Sequence, residues 1–169
     1  MNPFEIPLWR AMLPSDLAAV VALSAQAHPN YPERREVLAE KMLLSPTGCF
    51  ALAENSAIVG YCFSHPWTTG APPSLDTFLR ELPPRADSYF IHDLTLDPSM
   101  RKRNLAAVLV PDLVRAAQHA KVTRMSLVAV SGSAPFWSRM GFVRTGDEAT
   151  QGATRAKYGA EAVHMERLV

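Results

Sequence analysis

Arg101, Lys102 and Arg103 stand together in a turn between an apolar strand and an apolar helix, and cations in that place need a reason. Residues 89–96 (YFIHDLTL) are aromatic, aliphatic and β-branched enough for a buried strand, which Asp97 and Pro98 end. Behind the turn RKRNLA (101–106), Leu105, Leu109, Leu113, Ala116 and Ala120 form one stripe of a helix over 104–120, with Asn104 as N-cap. The first N–H groups of a helix have no internal acceptor, and its dipole makes that end positive. Three cations added there are a misfit unless an anion sits among them. The turn therefore reads as a phosphate or pyrophosphate site built from the N–H groups of 102–107, with small Ala106 and Ala107 permitting close approach. The plainer alternative is a solvated charge cluster.

Two more groups of residues could do chemistry. His92 and Asp93 lie in the same strand; regular alternation puts Phe90, His92, Leu94 and Leu96 on one face and Asp93 on the other. An imidazole titrates near neutrality and suits a proton acceptor, whereas a lone strand histidine can equally be a core residue satisfied by one hydrogen bond. Asp93 reads as an orienting group or a backbone partner. Downstream, SAPFWSRMGF (133–142) reads as a short helix that packs Phe136 and Trp137 and stops at Gly141. Ser131 and Ser133 beside it are hydrogen-bonding groups or simple turn and N-cap residues. Tyr158 reads as a turn residue and His164 as a strand residue of unassigned facing.

Taken together, residues 89–142 resemble the GNAT superfamily of acyl-CoA-dependent N-acetyltransferases. That family's main motif, Arg/Gln-x-x-Gly-x-Gly/Ala, follows a strand ending in Leu-x-Val; here Leu94-Thr95-Leu96 supplies the strand end and Arg101, Asn104 and Ala106 the motif positions. A later Phe-Tyr before Gly-Phe is matched by Phe136-Trp137 before Gly141-Phe142. The resemblance implies acetyl-CoA as co-substrate and no metal. Its pyrophosphate would lie on Arg101, Lys102, Arg103, Asn104, Leu105, Ala106 and Ala107. Its pantetheine would run along the backbone edge of Leu94, Thr95 and Leu96, with Phe136 and Trp137 beside the arm. The resemblance further implies that His92 is the base, with Asp93 and Ser133 in the catalytic set and a strand N–H near Leu94–Leu96 for the oxyanion. The implied reaction is direct attack of a primary amine, on a small molecule or peptide, upon the acetyl thioester. Asn104 departs from the family glycine, which asparagine's access to left-handed backbone makes tolerable. Trp137 departs from the tyrosine often used as an acid, and that departure suggests an alternative: a GNAT-like module that binds acyl-CoA without turnover.

The surrounding elements must hold this segment. Glu5–Met12 reads as a strand, Pro14 to about His28 as a helix, and Pro32–Leu44 as a helix with Val37, Leu38, Met42 and Leu43 inward. Gly48–Glu54 and Ala57–Ser64 read as a hairpin about Asn55-Ser56; a symmetric turn would set Cys49 opposite Cys62, as two buried thiols or a disulfide. Residues 65–88 carry five prolines and a short amphipathic piece, SLDTFLREL. Pro111 falls two turns into the helix over 104–120 and predicts a kink. Gly146–Gly159 reads as a polar loop with helical possibilities, and Ala162–Leu168 as the last strand. The expected fold class is α/β (α+β): a GNAT-like mixed, mostly antiparallel central sheet flanked by helices, in the order β-α-α-β-β-β-α-β-α-β-β, as one domain over 1–169. The acceptor would lie between the 65–88 loop, the two N-terminal helices and the 146–161 loop, where Glu33, Asp76, Glu81 and Asp147 could attract a cationic amine.

Composition bounds the rest. A net charge of +1 argues against a nucleic-acid partner. No apolar run reaches membrane-spanning length and MNPFEIPLWR lacks a basic-then-apolar leader, so cytoplasmic location is the default. Two cysteines and five scattered histidines show no metal-ligand spacing. Assembly as a homodimer is left open.

Overall fold

The computed structural model describes residues 6–169, so Glu5 of the expected first strand lies outside the described residues. In chain order the elements are β1 (Leu8–Ala11), α1 (Leu17–Ala27), α2 (Arg35–Leu44), β2 (Cys49–Glu54), β3 (Ala57–Trp67), β4 (Ser88–Leu96), α3 (Leu105–His119), β5 (Arg124–Ala129), α4 (Ala134–Arg139), β6 (Val143–Arg144), α5 (Glu148–Tyr158) and β7 (Val163–Leu168). They build a seven-stranded sheet in the order β1-β2-β3-β4-β5-β7-β6. Every pairing is antiparallel except β4 with β5. The sheet is mixed, mostly antiparallel and open, as the resemblance implies, with helices on both faces.

One pairing decides where a ligand can enter. β4 and β5 run together only from Tyr89–Ile91 against Met125–Leu127. Beyond Ile91 the strands part, and the β4 edge that faces β5 is left open over its last five residues. On one side of the sheet α1 and α2 bury Val20, Leu38, Tyr61 and Phe63. On the other, α3 and α4 close over Leu109, Leu113, Met125, Leu127 and Trp137.

A bulge sits at the mouth of this opening. Phe63 pairs with Asp93 but the next residue, Ser64, pairs with Ile91, so His92 is the extra residue on β4. The expected alternation therefore fails. His92 and Asp93 both point to the α1/α2 face, with Phe90 and Thr95, while Leu94 packs with the α3 core and Leu96 with Met100 and Leu105.

Several local expectations are corrected. Leu43 is 80% exposed, and Lys41 takes the inward position instead; it follows Val37 and Leu38 at helical spacing, whereas Leu43 is off that phase. SLDTFLREL forms no helix, because its backbone is spent on side chains of neighbouring elements. The polar stretch before the last strand does form a helix, α5: Asp147 accepts from the Thr150 N–H as its N-cap and Gln151 ties it to β7, which adds one helix to the expected order. A bulge between Leu52 and Ala53 shifts the hairpin register, so Cys62 faces Phe50 and Cys49 faces Phe63. The two thiols then belong to opposite cores and are free and buried. α3 passes through Pro111 without a break; the proline is exposed, so water can replace its missing bond.

Candidate active site

The opening between β4 and β5 is a cleft of about 440 Å³. Leu94, Thr95 and Leu96 line one wall, Phe136 and Trp137 the other, and Arg101 with Ala106 the far end. A second cavity of about 300 Å³ adjoins it, walled by Tyr31, Leu75 and Tyr158. The two share His28, His92, Asp93, Val128, Val130 and Ser131, so they meet at the bulge.

At the far end the basic turn folds as an anion cradle would. Lys102 (φ 63°) and Asn104 (φ 60°, ψ 14°) are left-handed, which turns successive N–H groups the same way. Asn104 is the N-cap residue of α3, yet its side chain makes no cap bond; its contribution is the left-handed turn, which corrects the expected capping role. Val108 is the first amide bonded back into the helix, to the Asn104 carbonyl at 3.3 Å, so Leu105, Ala106 and Ala107 offer N–H groups with no partner among the described residues. The Trp9 indole N–H donates to the Leu105 carbonyl at 2.7 Å and pins this end of α3 to β1. These features fit a pyrophosphate.

The expected ligand residues do not all converge. Arg101 and Ala106 line the cleft. Arg103 instead pairs with Glu54 at 3.3 Å, and Lys102 is exposed. The Leu105 side chain is buried with Leu52 and Met100, and Ala107 faces a different groove with Pro111, Arg124 and Arg139. Phe136 and Trp137 sit edge-to-face at 4.9 Å, and Trp137 meets Phe142 in the same way at 5.3 Å. Trp137 is buried and presents a packed aromatic wall. Ser133 lies in the cleft at the N-cap position of α4, with no side-chain cap bond.

Two histidine–carboxylate pairs occupy the bulge. His28, at the end of α1, places Nε2 3.1 Å from Thr95 Oγ1 and 3.4 Å from Asp93 Oδ2. Thr95 Oγ1 donates to Asp93 Oδ1 at 2.9 Å and the Tyr61 hydroxyl donates to Oδ2 at 2.5 Å, so two hydroxyls hold the carboxylate beside His28. Hydrogen bonding to Asp93 outweighs partial burial and raises His28 above its ordinary value. Burial pushes the Tyr61 hydroxyl well up, so it remains a donor. The His28 side chain is 26% exposed and opens on both cavities.

The second pair is sealed. His92 Nε2 lies 2.9 Å from Glu33 Oε1, its side chain is fully enclosed, and Nδ1 has no partner among the described residues. Glu33 also accepts from the Asp76 N–H at 3.1 Å and stands 3.5 Å from Lys41 Nζ. Burial opposes the Glu33 charge, but His92 and Lys41 more than offset it and hold the carboxyl at about 2. Burial lowers Lys41, with Glu33 pulling the other way. Beside His92, His65 is buried and held near 3, so it is neutral.

Sequence reasoning placed His92 and Asp93 at this point and named Glu33 as an acidic residue of the acceptor region, though not as the partner of His92; it missed His28, Tyr61 and Lys41. Only Lys41 left a legible signal, its phase within α2. Tyr158 ends α5 rather than forming a turn, and its hydroxyl donates to the Pro73 carbonyl. His164 is buried in β7, where burial lowers it. Among the described residues no group of His, Cys, Asp or Glu is gathered for a metal ion, and no helix is long and apolar enough to cross a membrane.

Comparison with known proteins places this geometry in context. No curated protein matches the chain. Among solved structures, the GNAT-like decarboxylase GphF in complex with isobutyryl-CoA superposes with a TM-score of 0.75 at 19% identity, covering 95% of this chain and 98% of that one. The loading GNATL domain of CurA from Lyngbya majuscula gives 0.77 at 13%, covering 97% and 98%. The ribosomal-protein-S18-alanine N-acetyltransferase from Escherichia coli gives 0.67 at 15%, covering 97% and 94%. At these identities the likeness shows a shared fold. The family model described as acetyltransferase (GNAT) matches residues 17–142, most of the chain and all of the opening between β4 and β5. The chain belongs to the GNAT acetyltransferase family.

Proposed function

We propose that this protein moves an acetyl group from acetyl-CoA to a primary amine by direct attack. One observation carries the reading: His28, paired with the Asp93 carboxylate and bonded to Thr95, stands where a cleft with an anion cradle at one end meets a second, smaller cavity. Acyl transfer from a CoA thioester is the chemistry the family supports; the acetyl group and the amine are our reading of the site.

The residues take these parts. The left-handed turn and the first amides of α3, with Arg101, would hold the pyrophosphate, and Phe136 and Trp137 would wall the pantetheine arm. The open β4 edge over Leu94–Leu96 would offer a backbone N–H to the oxyanion. Acetyl-CoA supplies the activated acyl group. With Nε2–H turned to Thr95 and Asp93, His28 Nδ1 is the free lone pair that takes the proton of the attacking amine. This moves the base from His92, the residue expected from the strand motif, to His28, whose ring is accessible while that of His92 is enclosed. His92 then holds Glu33 in place behind the pair. Departing CoA needs no tyrosine, because a thiol titrates near 8.5 and water can protonate its thiolate.

Release of CoA thiol, with product mass, over a panel of amines tests the reading. His28→Ala should lower the rate at neutral pH by about 10²–10⁴-fold with acetyl-CoA affinity unchanged. If His92→Ala has that effect and His28→Ala does not, the base is His92. If acetyl-CoA binds tightly and no amine is ever acetylated, the protein is an acyl-CoA-binding module.

A further inference from the structure

The second cavity is small, apolar over most of its wall and bordered at Leu75 by a tethered strap, and these features define an acceptor. Tyr31, Leu75, Val128, Val130 and Tyr158 present carbon surface. The Tyr158 hydroxyl is turned away and spent on the Pro73 carbonyl, so only its ring remains for a ligand. Polar groups gather where His28 and Asp93 meet the acyl cleft, and the exposed Glu161 also lines the cavity, beside the Gly159 turn. The nearby Glu33 carboxylate offers a second cation little, since His92, Lys41 and the Asp76 N–H already occupy it.

The strap is residues 72–80, of which Leu75 lines the cavity. Lys157 Nζ donates to the Pro72 carbonyl at 3.2 Å at one end. At the other, Glu40 accepts from the N–H groups of Leu79 and Arg80 at 2.6 and 3.0 Å. Between them Arg34 grips Asp76 through its guanidinium and its backbone N–H, at 2.7–3.1 Å. Asp76 and Arg80 are themselves left-handed (φ 50° and 70°), positions the tethers hold against intrinsic preference. Opposite the strap, Tyr31 lies over the turn at Gly159, where a Cβ would meet its hydroxyl at 3.0 Å. A strap whose central amides are already committed gives an extended peptide no edge to pair with. At about 300 Å³ the cavity lies at the lower end of small-ligand sites, which span about 300–1,000 Å³.

We infer that the acceptor is a small primary amine carried on a compact apolar body, aliphatic or aromatic, and that polypeptide amines are excluded. This rests on the transfer reading above. The body fills the space between Leu75, Val130 and the Tyr158 ring, and its amine reaches His28 at the polar end. Leu75, on the strap, is the residue that sets how large that body can be.

The full-length chain should be assayed with acetyl-CoA against 2-phenylethylamine and isoamylamine, spermidine, and peptides bearing free N-terminal and lysine amines. The two apolar amines should exceed spermidine and every peptide in kcat/KM by at least tenfold. Leu75→Trp should raise their KM at least tenfold with acetyl-CoA affinity unchanged, since Leu75 lies outside the acyl cleft. Leu75→Ala should instead improve a bulkier amine such as 2-(2-naphthyl)ethylamine relative to isoamylamine. Preference for spermidine or a peptide, or indifference of amine KM to both Leu75 variants, overturns the acceptor assignment while leaving acetyl transfer standing. Bound acetyl-CoA with no amine acetylated overturns the transfer reading itself.

Discussion

Glu33→Gln isolates the buried network behind the site. The substitution keeps the size of the side chain and removes its charge, which leaves Lys41, 1% exposed, without its counter-ion. In the folded protein the Glu33 carboxyl is held at about 2 against an ordinary value of 4.5, a difference worth roughly 3 kcal/mol at neutral pH. Loss of one partner from a buried ion pair independently suggests about 3–5 kcal/mol. Because the folded value is the depressed one, this stabilisation is fully present above pH 4.5 and disappears as the pH falls through about 2. The expected result is therefore a loss of about 3 kcal/mol at pH 7, shrinking steadily below pH 4.5. His65, held near 3, also makes the fold weaken as the pH drops below 6.5, but it does so in both proteins and cancels in the comparison. Urea unfolding followed by tryptophan fluorescence at pH 7, 5 and 3.5 measures the difference directly. Adding Lys41→Met to Glu33→Gln should recover part of the loss, since the stranded cation is then gone. A deficit below 1 kcal/mol at pH 7, or one that does not change between pH 7 and 3.5, would refute the reasoning.

Three further outcomes test the acyl cleft and the base. Ala106→Glu puts bulk and negative charge at the anion cradle, and should abolish acetyl-CoA binding by calorimetry with the circular dichroism spectrum retained; Arg101→Ala should weaken binding less, because the backbone amides remain. Asp93→Asn should move the acidic limb of the kcat/KM profile to lower pH, because the carboxylate that most raises His28 is gone and burial then outweighs the weaker pull of Glu33; an unmoved limb removes His28 as the titrating base. Trp137→Phe should cost mainly acetyl-CoA affinity and melting temperature through lost packing, with a modest drop in saturated rate; collapse of that rate with affinity and stability preserved would give the indole a direct part in the chemistry.

What the sequence made legible was local. The strand at 89–96, the helix behind the basic turn and the aromatic turn after β5 all carry their signals within a few residues, and the structure places them within one or two residues of those bounds. Asn104 shows the same economy: its left-handed backbone follows from its residue type and its motif position. α5 was harder, because its apolar stripe is thin and its stability comes from Asp147 at one end and from Gln151 reaching the carbonyls of Thr145 and His164. The strap was illegible for a related reason. SLDTFLREL has the spacing of an amphipathic turn of helix, but Glu33, Glu40 and Arg34, all some forty residues earlier, bid for its backbone groups and win.

The facing of the β4 side chains was the costliest miss, and it turns on one residue. A strand read by period two must assign His92 and Asp93 to opposite faces, and on that reading Asp93 cannot share a site with a histidine from α1. The extra residue at His92 resets the period, because β3 and β4 must satisfy one pattern below Ile91 and another above Asp93. No sequence period marks such a reset; it is a property of two strands and their register. Its effect is to bring both side chains to the α1/α2 side. There Asp93 meets His28 and His92 meets Glu33, both partners contributed by residues 28–33 around the end of α1. The same irregularity coincides with the point where β4 leaves β5, so the unpaired strand edge and the two histidine–carboxylate pairs arise together. The geometry that could accept a proton and the geometry that could admit a thioester therefore have one structural origin.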